Sequence, residues 1–367
     1  MTNAEHHAYS EIQLPRKGSP LRYVKLALPL LAALALGACE DDGVTPEPTV
    51  SEEIGVVTNS TDLSLTVFST DDPEDTETVE LGPDGSPVSL SVRGDRALIP
   101  MGTVPAAAVV DLRDGTRIGT LSLPEGSGAT GSAFLDDTQA VVANPGLNSI
   151  SLLDLAEESV GPEVEVGAFP QEIHVRDGRI FVLNAELDEE FQPARDGTIT
   201  VLDAIELSQL ATIELSGRNS SAMAVGTDGL LYVVHSGSFG AENGSLSVVD
   251  PDALEEVAHH EGFGDFPGSV AVGPNGNVFV GAFSYGVAVW DPDAESFVRS
   301  PEDALEPGGI PSASGVAFDS EGRLYALNPG CEEPSTAHRF DPSTLEEEEE
   351  IAVGICPFGI AFTEIRE

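Results

Sequence analysis

The sequence predicts an all-β fold, a seven-bladed β-propeller of four-stranded blades, closed by pairing of its N- and C-terminal segments. Three observations carry this. A short strand of the form Pro-x-x-apolar-small-apolar recurs along the chain, a Val-rich strand follows it after a Gly, Asp or Asn turn, and a third strand ends on Asp. The third-strand Asp residues from Asp111 to Asp341 span 230 residues in five intervals, a mean of 46. Four strands in such a period is the spacing of propeller blades.

The elements follow in order. First strands are expected at 87–92, 131–135, 170–175, 220–225, 267–272, 313–318 and 357–362, the copy at 131–135 being the weakest match. Turns such as Arg93-Gly94-Asp95, Arg176-Asp177-Gly178 and Pro274-Asn275-Gly276 then reverse the chain, as hairpin chemistry requires. Second strands end in Val141-Val142-Ala143-Asn144, Phe181-Val182-Leu183-Asn184, Tyr232-Val233-Val234-His235 and Tyr325-Ala326-Leu327-Asn328. Third strands end on Asp111, Asp154, Asp203, Asp250, Asp291 and Asp341, and an outer strand such as 212–215 or 351–354 completes each unit. Residues 53–59, 63–69 and 75–82 supply second, third and fourth strands with no first strand before them, while 357–363 supply a first strand with nothing after. One composite blade joins the termini and protects the edges that an open array would expose.

The second-strand endings resemble the YVTN-type repeat of bacterial surface propellers, and Val56-Val57-Thr58-Asn59 matches it best. The resemblance covers roughly residues 52–367; Ala282 and the region of Pro100 and Met101 depart from the Asn.

Before this domain, a basic stretch (Arg16, Lys17, Arg22, Lys25) precedes an apolar run from Leu26 to Leu36. That is a signal peptide over 1–38, its apolar run short for a membrane span. Leu36-Gly37-Ala38-Cys39 resembles the lipobox of bacterial lipoproteins, which implies cleavage before Cys39 and acylation of its thiol. The other reading is an ordinary secretory signal cut near Ala38. Residues 39–51, acidic and Pro-containing, read as a flexible tether to the propeller at 52–367. The expected address is the bacterial cell envelope, exported and lipid-anchored, with neither the inner nor the outer membrane favoured.

The formal charge is −47, and the leader's four basic and two acidic residues leave −49 for the rest. Nucleic acid and anionic lipid surfaces, which need basic patches, are poor partners for such a chain. Both lysines, Lys17 and Lys25, fall in the leader. Carboxylates without Lys fit adaptation to high salt, where charges are screened; a GC-rich genome favouring Arg fits equally.

No Gly-x-Ser-x-Gly, phosphate loop, dinucleotide fingerprint or His-Glu-x-x-His motif occurs, so no catalytic residue and no resident metal is assigned. His174 stands where the aligned first strands carry a small residue, with Glu172 on the same strand face. Glu172, His174 and Asn184 form a possible channel-mouth site. The recurring Asn144, Asn184 and Asn328 read more simply as turn-formers, the strand-end Asp residues as Asx-turns. His259-His260 lacks a third clear metal ligand, and the run Glu346 to Glu350 reads as a solvated face.

Two functions remain. One is a non-catalytic, membrane-anchored module that binds a protein or polysaccharide of the envelope, as a monomer and without a cofactor. The alternative is a propeller hydrolase resembling the gluconolactonase group, with Ca or another divalent cation held partly by Glu172 and Asn184. Export places the chain in an oxidising compartment, so Cys331 and Cys356 are expected to pair, both lying on the face where second strands end and first strands begin.

Overall fold

A computed structural model describes residues 51–366. The leader, Cys39 and the tether up to residue 50 lie outside the described residues. Strands form seven separate four-stranded antiparallel sheets, with only three single-turn 3-10 helices between them. The fold is a seven-bladed β-propeller. Blades are numbered here in chain order. Blade 1 is the composite: Pro357–Arg366 lies innermost, followed by Ser51–Asn59, Ser64–Ser69 and Thr76–Glu80. Blades 2 to 7 begin with Ser91–Arg93, Ser132–Phe134, Pro170–Arg176, Ser220–Val225, Pro267–Val272 and Gly315–Phe318.

Second and third strands carry near-continuous apolar runs because each is buried on both faces, so alternate side chains feed the cores on either side. Val56 packs with Ile99 and Ala108 of blade 2, whereas its neighbour Val57 packs with Tyr325 and Leu327 of blade 7. The hydrophobic core is thus a set of wedges between adjacent blades, and no blade can bury its surface alone. Outer strands meet water on one side and alternate, as Gln209–Arg218 does from Thr212 onward.

Closure follows the expected pairing. Ser51 opposes Arg366 and Val57 opposes Ile360, so the first and last described residues meet on one edge of blade 1. Gly55 is required in this pairing, because a Cβ there would lie 2.3 Å from the ring of Phe68. The Cys331–Cys356 disulfide forms, closing a separation of 25 residues and tying blade 7 to the innermost strand of blade 1. The same junction is reinforced where Gly354 donates its N–H to Asn59 Oδ1 at 3.1 Å and Ile355 donates to Asp62.

The two faces of the ring differ. One carries the hairpins between first and second strands and the turns between third and fourth, all two to six residues long. There each third-strand Asp accepts the N–H groups two or three residues on: Asp203 from Ile205 and Glu206, Asp250 from Asp252 and Ala253, Asp341 from Ser343 and Thr344. These backbone donors hold the three carboxyls below the usual range. The Asx-turn reading holds. Four residues after each Asp the backbone turns left-handed, at Gly115 and Glu158 (φ 59° and 50°) and at Leu207, Leu254, Glu295 and Leu345.

The recurring Asn residues are not turn-formers. Asn59, Asn144, Asn184 and Asn328 are buried, and each amide Nδ2 bonds two side chains of the third strand. Asn144 reaches Ser149 and Ser151 at 3.2 and 2.9 Å, and Asn184 reaches Thr198 and Thr200 at 3.0 Å each. In blade 5, His235 replaces Asn and bonds Ser247. The two departures explain themselves. Where blade 2 has Met101 and blade 6 has Ala282, the facing third-strand positions are Ala106 and Ala108, or Gly286 and Ala288. Donor and acceptors are present together or absent together, as burial of polar groups demands.

Candidate functional site at the channel mouth

The second face of the ring carries the starts of first strands and the loops between second and third strands. At its centre a cavity of about 390 Å³ opens, lined by residues from all seven innermost strands or their approaches. The lining is mostly small: Ser89, Thr130, Ser221 and Ser314 are typical. Their hydroxyls are engaged in holding the ring. Ser89 donates to Thr130 O, Thr130 to Pro170 O, Ser221 to Pro267 O and Ser314 to Pro357 O, so each clasps the backbone of the next blade.

Glu172 and His174 take over this clasp between blades 4 and 5. Glu172 Oε2 accepts the Met223 N–H at 2.6 Å, and His174 Nε2–H donates to Met223 O at 2.7 Å. The two side chains lie 3.6 Å apart and are 36 % and 30 % exposed, Glu172 lining the mouth. Burial opposes the imidazolium, but the hydrogen bond and charge of Glu172, with the Met223 carbonyl, outweigh it and raise the His174 pKa. Glu172 is the one charged residue among those lining the mouth.

Glu172 and His174 are therefore together, as expected from their strand, and Asn184 is not with them. Its amide belongs to the buried pair of threonines, Thr198 and Thr200, and it is inaccessible from the channel. His259 and His260 diverge: His259 faces Ser247 and Glu256, while His260 packs 5.0 Å from the ring of Trp290. Among the described residues no three His, Cys, Asp or Glu side chains are grouped as metal ligands. The carboxylate run is less solvated than its composition implies, since Glu347 accepts from His338 and Gly308 and Glu349 pairs with Arg339.

Two features escaped the sequence reading. The first is a buried chain in blade 5, in which Ser247 Oγ meets His235 Nε2 at 2.7 Å and Glu256 Oε1 at 2.5 Å, with Ser220 on His235 Nδ1 at 3.0 Å. Burial pushes the His235 pKa down to about 3, and hydrogen bonds from His259 and two serines outweigh desolvation to bring Glu256 to about 2. Ser220 and Ser247 have no exposed surface, so neither hydroxyl is placed to attack a solute. The second is aromatic. Phe191, Phe239 and Phe283 stand 65 %, 84 % and 44 % exposed on the second-to-third-strand loops of blades 4, 5 and 6. Their signal was an aromatic set among polar loop residues, outside the repeat.

No family model matches the chain, and no curated protein matches it. Solved structures do. The chain is similar to the Kuenenia stuttgartiensis hydrazine synthase, with a TM-score of 0.60 and 15% identity over 77% of this chain and 95% of that one. It is also similar to a functionally unknown protein from Desulfotomaculum acetoxidans, with a TM-score of 0.62 and 15% identity over 84% and 98%. Both likenesses are of fold.

Proposed function

We propose that this chain is an exported envelope protein, anchored through a lipid on Cys39, whose YVTN-type propeller works as a non-catalytic binding module. One observation carries the reading. The polar side chains that the repeat offers for chemistry are committed to the blade itself, Glu172 and His174 to Met223 and Asn184 to Thr198 and Thr200. What stays free is surface, and it is unevenly distributed: hairpin-face turns are short, while the loops 185–195 and 236–244 on the mouth face are the longest between paired strands. Loops of this kind on a rigid scaffold are where recognition resides.

Ser51 and Arg366 sit together at the hairpin-face end of blade 1, so the described chain begins and ends on the face opposite the channel mouth. Chemical cross-linking in the native envelope, followed by recovery of adducts, tests the reading. A partner joined through mouth-face residues is the expected outcome. Stoichiometric divalent metal in the purified protein together with lactone hydrolysis would replace it with the hydrolase alternative.

A further inference from the structure

We propose that the mouth face docks an extended polypeptide segment of a partner protein that carries both apolar and cationic side chains. The inference rests on the binding-module reading and names the partner's chemistry. Three observations converge on it.

Every exposed large aromatic among the described residues lies on this face, as Phe191, Phe239 and Phe283. Each is braced by a second, half-buried Phe: Phe191 on Phe169 at 5.5 Å, Phe239 on Phe266 at 5.6 Å, and Phe283 on Phe358 at 5.7 Å between ring centroids. Phe266 and Phe358 also line the central cavity, so two of the three pairs run from the loops of blades 5 and 6 into the mouth, and the third stands on the loop of blade 4. Braced aromatics lose little side-chain freedom on binding and supply the anchors typical of interfaces.

These pairs are set in carboxylates. Asp188, Glu189 and Glu190 precede Phe191, and Asp265 holds the Phe239 loop by accepting the Gly240 N–H. Next to Phe283 in the chain, a second cavity of about 570 Å³ is lined by Tyr285 and Leu305 and by Glu302, Asp303 and Glu306, with Arg299 already paired to Asp303. Apolar side chains among an excess of carboxylates are the surroundings that suit the stem and head of a Lys or Arg side chain. A chain of net charge −47 with Lys only in its leader also repels a second copy of itself and any anionic surface. Ser51, where the described chain begins, lies on the opposite face.

The test uses the mature chain and a fluorescent synthetic peptide alternating Lys and Leu. Binding is expected to weaken at least about tenfold in the F191S/F239S/F283S variant and with rising salt. It should change less than about twofold in Ile205→Ser, which removes a 91 % exposed apolar residue from the hairpin face. Equal binding by the triple variant, or by a Ser-Leu peptide of the same length, overturns the proposal. Photo-cross-linking from position 239 in the native envelope separates this from the broader reading. An adduct with a polypeptide supports both, and an adduct with a glycan overturns the polypeptide inference while leaving the binding module standing. Adducts from position 205 with none from 239 overturn the face assignment itself.

Discussion

Replacing Asn144 by Leu tests the rule that donor and acceptors stand or fall together. Asn144, Ser149 and Ser151 are at most 2 % exposed, and the amide Nδ2 is the only recorded partner of both hydroxyls. Leu keeps the heavy-atom branching of Asn, at larger volume, but strips both hydroxyls of their donor. At about 1–3 kcal/mol for each buried group left without a partner, less the gain from a more apolar side chain, the single change costs about 2–4 kcal/mol. Adding Ser149→Ala and Ser151→Ala removes the stranded hydroxyls and reproduces the apolar arrangement of blade 6, where Ala282 faces Gly286 and Ala288. The triple variant should recover to within about 1–2 kcal/mol of the parent, so that the changes are strongly non-additive. Urea unfolding of the parent, Asn144→Leu, the double Ser→Ala variant and the triple variant closes the cycle. Additivity within about 0.5 kcal/mol would show that the amide and hydroxyls do not depend on one another, and the reasoning would fail.

Removing the Cys331–Cys356 bridge as C331A/C356A opens a loop of 25 residues and should cost about 3 kcal/mol, read as a lower unfolding midpoint that reductant no longer changes. Ending the chain at Gly354 deletes the partner of Ser51–Asn59, so proteolysis should begin near Val56 and Val57; a truncated protein as stable as the parent would mean that closure works otherwise. Two histidines should act oppositely on stability as pH falls. The raised pKa of His174 adds stability that is full below about pH 6.5 and is lost as pH rises through its folded value, whereas His235, depressed to about 3, withdraws stability as pH falls from about 6.5 toward 3. Unfolding midpoints should therefore lose their gain on acidification toward pH 6.5 from above in His174→Gln, and their fall between about pH 6.5 and 3 should flatten in His235→Asn, which installs the residue found in four other blades; matching pH slopes in parent and variants would contradict the assignment. Finally, Cys39→Ala should move the protein from the membrane fraction to the soluble fraction, and a variant processed normally that stays membrane-bound would exclude lipidation there.

The ring was legible because its signals are local and repeated. Val-rich strands, Gly turns such as Arg176-Asp177-Gly178 and an Asp at the third-strand ends of blades 2 to 7 all mark positions that the backbone imposes without help from distant residues. The role of the recurring Asn was not read, since an Asn at a strand end serves a turn or a buried amide equally well. Yet the deciding signal was present within the chain: hydroxyls, with His338 in place of one in blade 7, occupy the register-paired positions in the Asn blades, and Ala or Gly occupies them opposite Met101 and Ala282. Reading it requires strand register, which hairpin length alone does not supply. Glu172 and His174 stood out as unusual on an inner strand, but their partner, the Met223 backbone, lies on the next blade. Asn184 shares their blade and not their face, because it ends a buried second strand.

The same division explains where function remained hidden. A repeat imposes similar residues on similar positions, so whatever it imposes is spent on holding each blade and clasping the next. Under the proposed binding role, discrimination between partners comes from segments that the repeat leaves free. In this ring those are the mouth-face loops 185–195 and 236–244, which differ in length and sequence from each other and carry Phe191 and Phe239. The hairpin face offers less variation, because each Asp-capped turn there spends its side chain and backbone on a fixed left-handed geometry. Regularity on one face and aromatic irregularity on the other, with the chain's first and last described residues on the regular one, divide the ring into a constant face and a variable one.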